Sequence, residues 1–208
     1  MRLCISSATV LALLGLSVAR PASAQQPPPA TEVGASQLAI VNLPARTAGK
    51  LTVTSPAFAM LGDIPFENTS YRGNVFPGLA WTRGPAATRS YAVIMQDGDA
   101  LARGAPILHW TMVNIPATVT QLDAGMSAPP DGAQYGPNIR GPAHAYMGPH
   151  TPPGPKHRYH LQIFALDAPI PSDSLTSYAG LISAMKTHVL ASGELIGLGQ
   201  APPADSTR

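Results

Sequence analysis

The stretch from Tyr91 to Pro116, YAVIMQDGDALARGAPILHWTMVNIP, narrows most what this chain can fold into. Tyr91 to Met95 is a compact run of β-branched, aromatic and aliphatic residues, and Ile107 to Ile115 is another. Both read as strands. Between them stand Asp97, Gly98 and Asp99, read as a short acidic turn, and then a loop holding Arg103, Gly104 and Pro106. In an extended chain two carboxylates spaced this way share a face, and Gly98 adds backbone freedom between them. Only 12% of the residues are charged, so two acids at the end of an apolar strand mark a candidate site.

The first residues do not belong to the fold. Arg2, the apolar run from Val10 to Val18 and the small-residue site Ala22-Ser23-Ala24 read as a secretory signal peptide cleaved after Ala24. The run is too short for a membrane span. The single cysteine, Cys4, falls in this leader and not at the cleavage point. The mature chain is thus expected to carry no disulfide and no stable membrane anchor, and to work in the periplasm or outside the cell. Cleavage also removes Arg2 and Arg20 but no acid, which brings Lys+Arg level with the 11 Asp+Glu. A neutral chain without a Lys/Arg cluster is not built for nucleic acid.

After the leader, residues 25–49 read as a Pro-rich tether and N-terminal extension. Gln25 to Thr31 is expected not to pack, with ordered structure starting near Gln37 to Val41 or at Lys50. Leu51 to Pro56 alternates as a half-exposed strand does, and Leu79-Ala80-Trp81 is a short apolar piece. Residues 117–158 are loop-rich, and a loop of that length is usually functional. Tyr159 to Leu166 is the clearest strand, with Leu161, Ile163 and Ala165 on one face and His160, Gln162 and Phe164 on the other. A helix capped by Ser172, Asp173 or Ser174 is expected to run through Leu175, Tyr178, Leu181, Met185 and Val189. Gly193 then ends it, and GELIGLG makes a last strand. Residues 201–208 read as a flexible tail. Many short strands, abundant Pro and Gly and one late helix predict a mostly β chain: one antiparallel β-sandwich domain over residues 50–200, with peripheral helices including one near the C-terminus.

His157 and Tyr159 share the parity of Leu161 and Ile163, so both can stand at the mouth of the buried face. Plain rim residues with satisfied hydrogen bonds are the alternative. On the partner strand, simple alternation puts Trp110, Met112 and Asn114 on one face and His109, Thr111 and Val113 on the other.

At this point the residues resemble the phosphatidylethanolamine-binding proteins, in particular their bacterial Raf-kinase-inhibitor-like branch. Asp97-Gly98-Asp99-Ala100-Leu101, then His109-Trp110, then Asn114-Ile115-Pro116 are similar to that family's acidic turn and His-Trp strand. Gly148-Pro149, Pro152-Pro153, Gly154 and His157-Arg158-Tyr159 are similar to its second signature. Pro77 to Trp81 and His188 to Leu195 extend the likeness. The chain departs from the pattern at Gly98 and Leu101, where the family has prolines. It departs again where His150 and Thr151 stand in place of a single residue.

The resemblance implies a small anion-binding cavity for a phosphate-type or phospholipid head-group ligand, with Asp97, Asp99, His109, Gly148, Thr151, His157 and Tyr159 as its binding residues. It implies no cofactor. An anion beside two aspartates requires His109 and His157 to be protonated, each held by an aspartate and donating its other N–H to the ligand. Anion affinity is then expected to weaken as pH rises through the histidine range. Competing readings are an inhibitor or partner of another protein, a hydrolase and a metal-binding protein. No Gly-X-Ser-X-Gly elbow, Walker loop or His-Glu-X-X-His motif marks a catalyst. Asp97, Asp99, His109, His144, His150 and His157 are metal-ligand types, but they lack the paired spacing of a dedicated site. The expectation is therefore a binding module with no catalytic residue and no resident metal.

Overall fold

A computed structural model describes residues 26–203. The leader read in residues 1–24 and most of the tail lie outside the described residues. No helix among those described is long and apolar enough to cross a membrane.

The chain is mostly β, in two antiparallel sheets. Its strands are β1 (Val53–Thr54), β2 (Leu79–Trp81), β3 (Ser90–Ala102), β4 (Ala105–Pro116), β5 (Gln121–Leu122), β6 (Gln134–Tyr135), β7 (His157–Leu166) and β8 (Val189–Gly199). The large sheet has the order β6-β4-β3-β7-β8 and the small one β1-β2-β5. Alternation on the long strands feeds two cores. Tyr91, Val93, Met95, Tyr159, Leu161, Ile163 and Ala165 turn to one face, where they meet Val53, Leu79, Trp81 and Leu122 of the small sheet. Ala92, Ile94, Phe164 and Leu166 turn to the other, where they meet Leu175, Leu181 and Met185. Burying each such large side chain stabilises the fold by about 1.5–3 kcal/mol before chain entropy is subtracted.

The acidic stretch is not the turn of the hairpin. β3 continues past it to a two-residue turn, where Arg103 and Gly104 have φ of +54° and +83° between the paired Ala102 and Ala105. Two successive left-handed residues match the twist of the flanking strands. Gly98 to Ala100 instead form a bulge, since the ladder passes from Asp97↔Ile107 directly to Leu101↔Pro106. The groups released from the ladder find other partners. Asp99 N–H donates to Asp97 Oδ1 at 2.9 Å, and Gly34 N–H donates to the Gly98 carbonyl at 2.9 Å.

The late helix is shorter than its periodicity predicts. A 3-10 turn covers Ser172–Thr176, and after Ser177 an α-helix runs only from Tyr178 to Met185. Ser177 is its N-cap, and the hydroxyl accepts Gly180 N–H at 3.1 Å. Val189 and Gly193 belong to β8, which pairs with β7 along its length. A Cβ on Gly193 would come within 2.0 Å of the Leu51 carbonyl oxygen, so this glycine admits a crossing chain and does not end a helix.

The N-terminal extension takes up ordered structure near Gln37 to Val41, as expected, while residues 26–31 stay mostly exposed and bond to the domain through backbone carbonyls. A 3-10 turn at Ala35–Gln37 leads into a single helical turn, Ala39–Asn42, with Leu38, Ala39 and Leu43 buried against the second core. Prolines lack a donor but keep their carbonyls. Pro29 O accepts the Arg158 guanidinium, and Gln26 O accepts Lys156 N–H at 3.1 Å. Two glutamines buried in the sheet complete the docking. Gln96 Oε1 takes Ala39 N–H at 2.8 Å, and Gln162 Oε1 takes Ile40 N–H at 2.7 Å.

Candidate functional site

β3 and β7 pair in a register that sets Asp97 opposite Tyr159. Asp97 is 2% exposed, and its Oδ2 accepts the Nδ1–H of His157 at 2.8 Å. That hydrogen bond raises the His157 pKa against the opposing effect of burial, and the charges of Asp97 and Asp99 add to it. The imidazolium form is favoured. With Nδ1 committed, His157 keeps Nε2–H for a ligand, and its side chain is 13% exposed.

His109 reaches the same place through a bulge. The β3–β4 ladder passes from Met95↔Trp110 to Gln96↔Leu108, which leaves His109 as the extra residue. It therefore does not follow the alternation expected of it: the ring stands edge-on to Tyr159, centroids 5.0 Å apart at 81°. Nδ1 lies 3.1 Å from the Met147 carbonyl, an acceptor that fixes the proton on Nδ1. Burial lowers the His109 pKa, against the pull of Asp97 and of the Met147 and Gly148 carbonyls. His109 is thus neutral and presents an Nε2 lone pair. The expectation of two imidazoliums is corrected, because Asp97 holds His157 alone. Asn114 breaks alternation in the same way: its φ is +58°, and its amide exchanges two hydrogen bonds with the Ile170 backbone.

Asp99 turns away from Asp97. Its Oδ2 accepts Arg158 N–H at 2.8 Å, and its Oδ1 lies 3.3 Å from the Arg158 guanidinium. Burial raises its pKa, while Arg158 opposes the rise. The carboxylate pair is therefore divided between the site and a structural ion cluster. Tyr159 is fully buried, and its hydroxyl lies 2.9 Å from Thr151 Oγ1. Burial pushes its pKa up, so the phenol keeps its proton. Thr151 is itself buried, and its carbonyl accepts the Tyr71 hydroxyl at 2.5 Å.

Gly148 does not offer a free backbone group. Its N–H donates to Asn74 Oδ1 and its carbonyl accepts the Ser70 hydroxyl, both at 2.7 Å. A Cβ there would come within 2.4 Å of the Asn68 carbonyl oxygen, so the glycine serves packing. The structure brings together Asp97, His109, Thr151, His157 and Tyr159, with the Gly148 carbonyl beside His109, and turns the Asp99 carboxylate to Arg158. Among the described residues no cluster of three or more His, Cys, Asp or Glu is arranged to hold a metal ion.

Sequence reasoning missed a second polar centre on the opposite face of β7. His160, 3% exposed, has Nδ1 2.8 Å from Glu194 Oε2 and Nε2 2.7 Å from Glu32 Oε1. The first contact is an aligned hydrogen bond. The second is a close ion contact with less favourable N–H alignment. Burial acts to lower the His160 pKa, but Glu194 and Glu32 outweigh it and the net shift is upward. Arg158 Nη1 lies 3.3 Å from Glu32 and from Asp99. The HRYH alternation does place His160 opposite Tyr159, but nothing local announces that Glu32 arrives there. His150, named above among the metal-ligand types, stacks its ring on Tyr71 at 4.3 Å.

Residues 54–200 match the family model for phosphatidylethanolamine-binding protein. A UPF0098 protein of Methanothermobacter thermautotrophicus is 35% identical over 153 residues, covering 71% of this chain and 97% of that protein. The UPF0098 protein YbcL of Escherichia coli is 40% identical over 130 residues, 59% of this chain and 70% of its own. The YbcL crystal structure, described as a member of the mammalian PEBP family, superposes with a TM-score of 0.66 at 30% identity, covering 74% of this chain and 100% of that one. A Mycobacterium tuberculosis protein whose name marks it as a lipoprotein, LppC, is 31% identical over 152 residues, 73% of this chain and 72% of its own. With the match spanning the two sheets and the pocket residues alike, this chain belongs to the phosphatidylethanolamine-binding protein family, in its bacterial branch.

Proposed function

We propose that this protein is an exported binding module, not a catalyst, whose pocket takes a small phosphate-type anion, free or as the head group of a phospholipid. The observation that carries the reading is the His157–Asp97 pair: a carboxylate buried behind an imidazole holds the cation in place while Nε2–H faces outward. A charged donor in a poorly hydrated pocket is a strong anion ligand. Tyr159 supplies a buried hydroxyl that Thr151, Asp97 and the His150 backbone hold in place at the site. Neutral His109 supplies an acceptor at Nε2, which a P–OH proton of a free phosphate or a hydroxyl or ammonium donor of a head group can meet. Export is supported by the leader pattern in residues 1–24 and by the likeness to LppC.

On the protein side the pH dependence follows from one proton. The His157 pKa is raised, so its contribution to affinity holds through the ordinary histidine pKa of about 6.5 and falls above it, as the imidazolium is lost. Isothermal titration with inorganic phosphate and with phosphoethanolamine tests this. His157→Gln and Asp97→Asn are each expected to weaken both ligands by about tenfold or more. Unchanged heats in both variants would exclude this pocket as the binding site.

A further inference from the structure

A second recess lies against the back of His109. The cleft has a volume of about 360 Å³ and is lined among others by Ser70, Asn74, Asn138, Arg140, His144 and Met147. Two of its lining residues bond to His109. Met147 gives its carbonyl to His109 Nδ1, and Asn138 Nδ2 donates to the His109 carbonyl at 3.3 Å.

The loop that carries the two basic residues is built, not loose. Asn138 and Gly141 exchange backbone hydrogen bonds of 2.8 and 3.1 Å, and His144 N–H donates to the Gly136 carbonyl at 3.2 Å. Asn138 Oδ1 accepts Arg140 N–H at 2.8 Å. Most of the cleft's polar lining is already spent on the protein. Asn74 Nδ2 donates to the Tyr146 carbonyl and Asn74 Oδ1 accepts Gly148 N–H. Ser70 is committed to the Gly148 carbonyl. Among the described residues lining the cleft, the Arg140 guanidinium and the His144 imidazole remain without a hydrogen-bond or ion partner, and no carboxylate lines it. A permanently charged, bidentate donor facing a recess that holds no acid is suited to a carboxylate or phosphate oxyanion.

We propose that this cleft is a second anion subsite, and that pocket and cleft together select a ligand carrying two acidic groups, such as a phosphorylated carboxylic acid. The selection of a doubly acidic ligand rests on the pocket reading above; the cleft's own affinity for an oxyanion does not. The discriminating pair of probes is phosphoglycolate, with a phosphate and a carboxylate, and phosphoethanolamine, with a phosphate and an ammonium group. Calorimetry on the full chain is expected to show phosphoglycolate binding about tenfold tighter, and Arg140→Gln/His144→Gln to abolish that gap while leaving phosphoethanolamine unchanged. A melting curve of the double variant controls for folding. In parallel, the Arg140 and His144 side-chain nitrogen signals are followed by NMR, assigned by their loss in the single variants.

Equal affinity for the two probes, or a gap that survives in the double variant, overturns the doubly acidic ligand and leaves the pocket reading standing. Arg140 and His144 signals that move with phosphoglycolate in His157→Gln, where the pocket is disabled, support the cleft by itself. Signals that do not move in any form of the protein overturn the cleft.

Discussion

Two histidines of one candidate site are pushed in opposite directions here, because one meets a carboxylate and the other is deeply buried. The bond to Asp97 raises the His157 pKa, and burial lowers that of His109 against the pull of the Met147 carbonyl. Their contributions to stability have opposite signs. That of His157, with a raised pKa, is full below about pH 6.5 and lost as pH climbs through the folded value. That of His109, with a lowered pKa, is full above about pH 6.5 and lost as pH falls. Thr151 acts on neither proton but fixes Tyr159 between them. Thr151→Val keeps the shape and takes from a buried phenol one of its partners, leaving Asp97 and the His150 backbone. It is expected to cost about 0.5–1.5 kcal/mol in a denaturant titration, with weaker phosphate binding in the same sample; a loss within experimental scatter would show that the remaining partners hold Tyr159 unaided.

At the scale of elements, the N-terminal segment behaves as a strap pinned by charge. Glu32 stands between Arg158 and His160, and Gly34 adds a backbone bond to the bulge at Gly98. The charged groups gathered there are Glu32, Asp99, Arg158, His160 and Glu194. Since the His160 pKa is raised, the hold it gives is complete below about pH 6.5 and is lost as pH rises through the folded value. Hydrogen exchange at Ala39 and Ile40 should accelerate above about pH 6.5, as pH rises through the folded value, by more than the intrinsic rate. In His160→Gln that extra acceleration should be absent. An identical pH profile in the variant would assign the strap's hold to Gln96 and Gln162 alone.

For the molecule as a whole, what alternation could reveal was legible and what distant chain decides was not. Leu161, Ile163 and Ala165 fell on one face, and Phe164 on the other, because a pleated strand admits only that pattern. The bulges at His109 and at Gly98 to Ala100 were not legible. They depend on partners at Met147 and Gly34 that no local window contains. The helix was overextended at Val189 for a related reason: its periodicity is real locally, but pairing with β7 claims the residue for β8. Of the candidate site, Asp97, His109, Thr151, His157 and Tyr159 were named by resemblance, and how they stand together, with the lowered pKa of His109, needed the structure. Both cores are built on the same strands, β3, β4 and β7. Fluorescence of Trp81 and Trp110 in the first core and amide exchange at Ala39 in the second should therefore report one unfolding midpoint in urea. Separated midpoints would mean that the strap and the second core open independently.

The strap also sets an order of events in time. Ile40 waits for Gln162, 122 residues further along the chain, and Glu32 waits for Arg158, 126 residues along. During synthesis the earliest of these segments is thus among the last to find its place, because its anchors on β7 do not yet exist. Contacts so far apart in sequence slow folding, since the loop between them must close before they stabilise anything. Until β7 emerges the segment around Leu38 is open to proteases and chaperones, and a chain truncated before β7 would leave it permanently undocked.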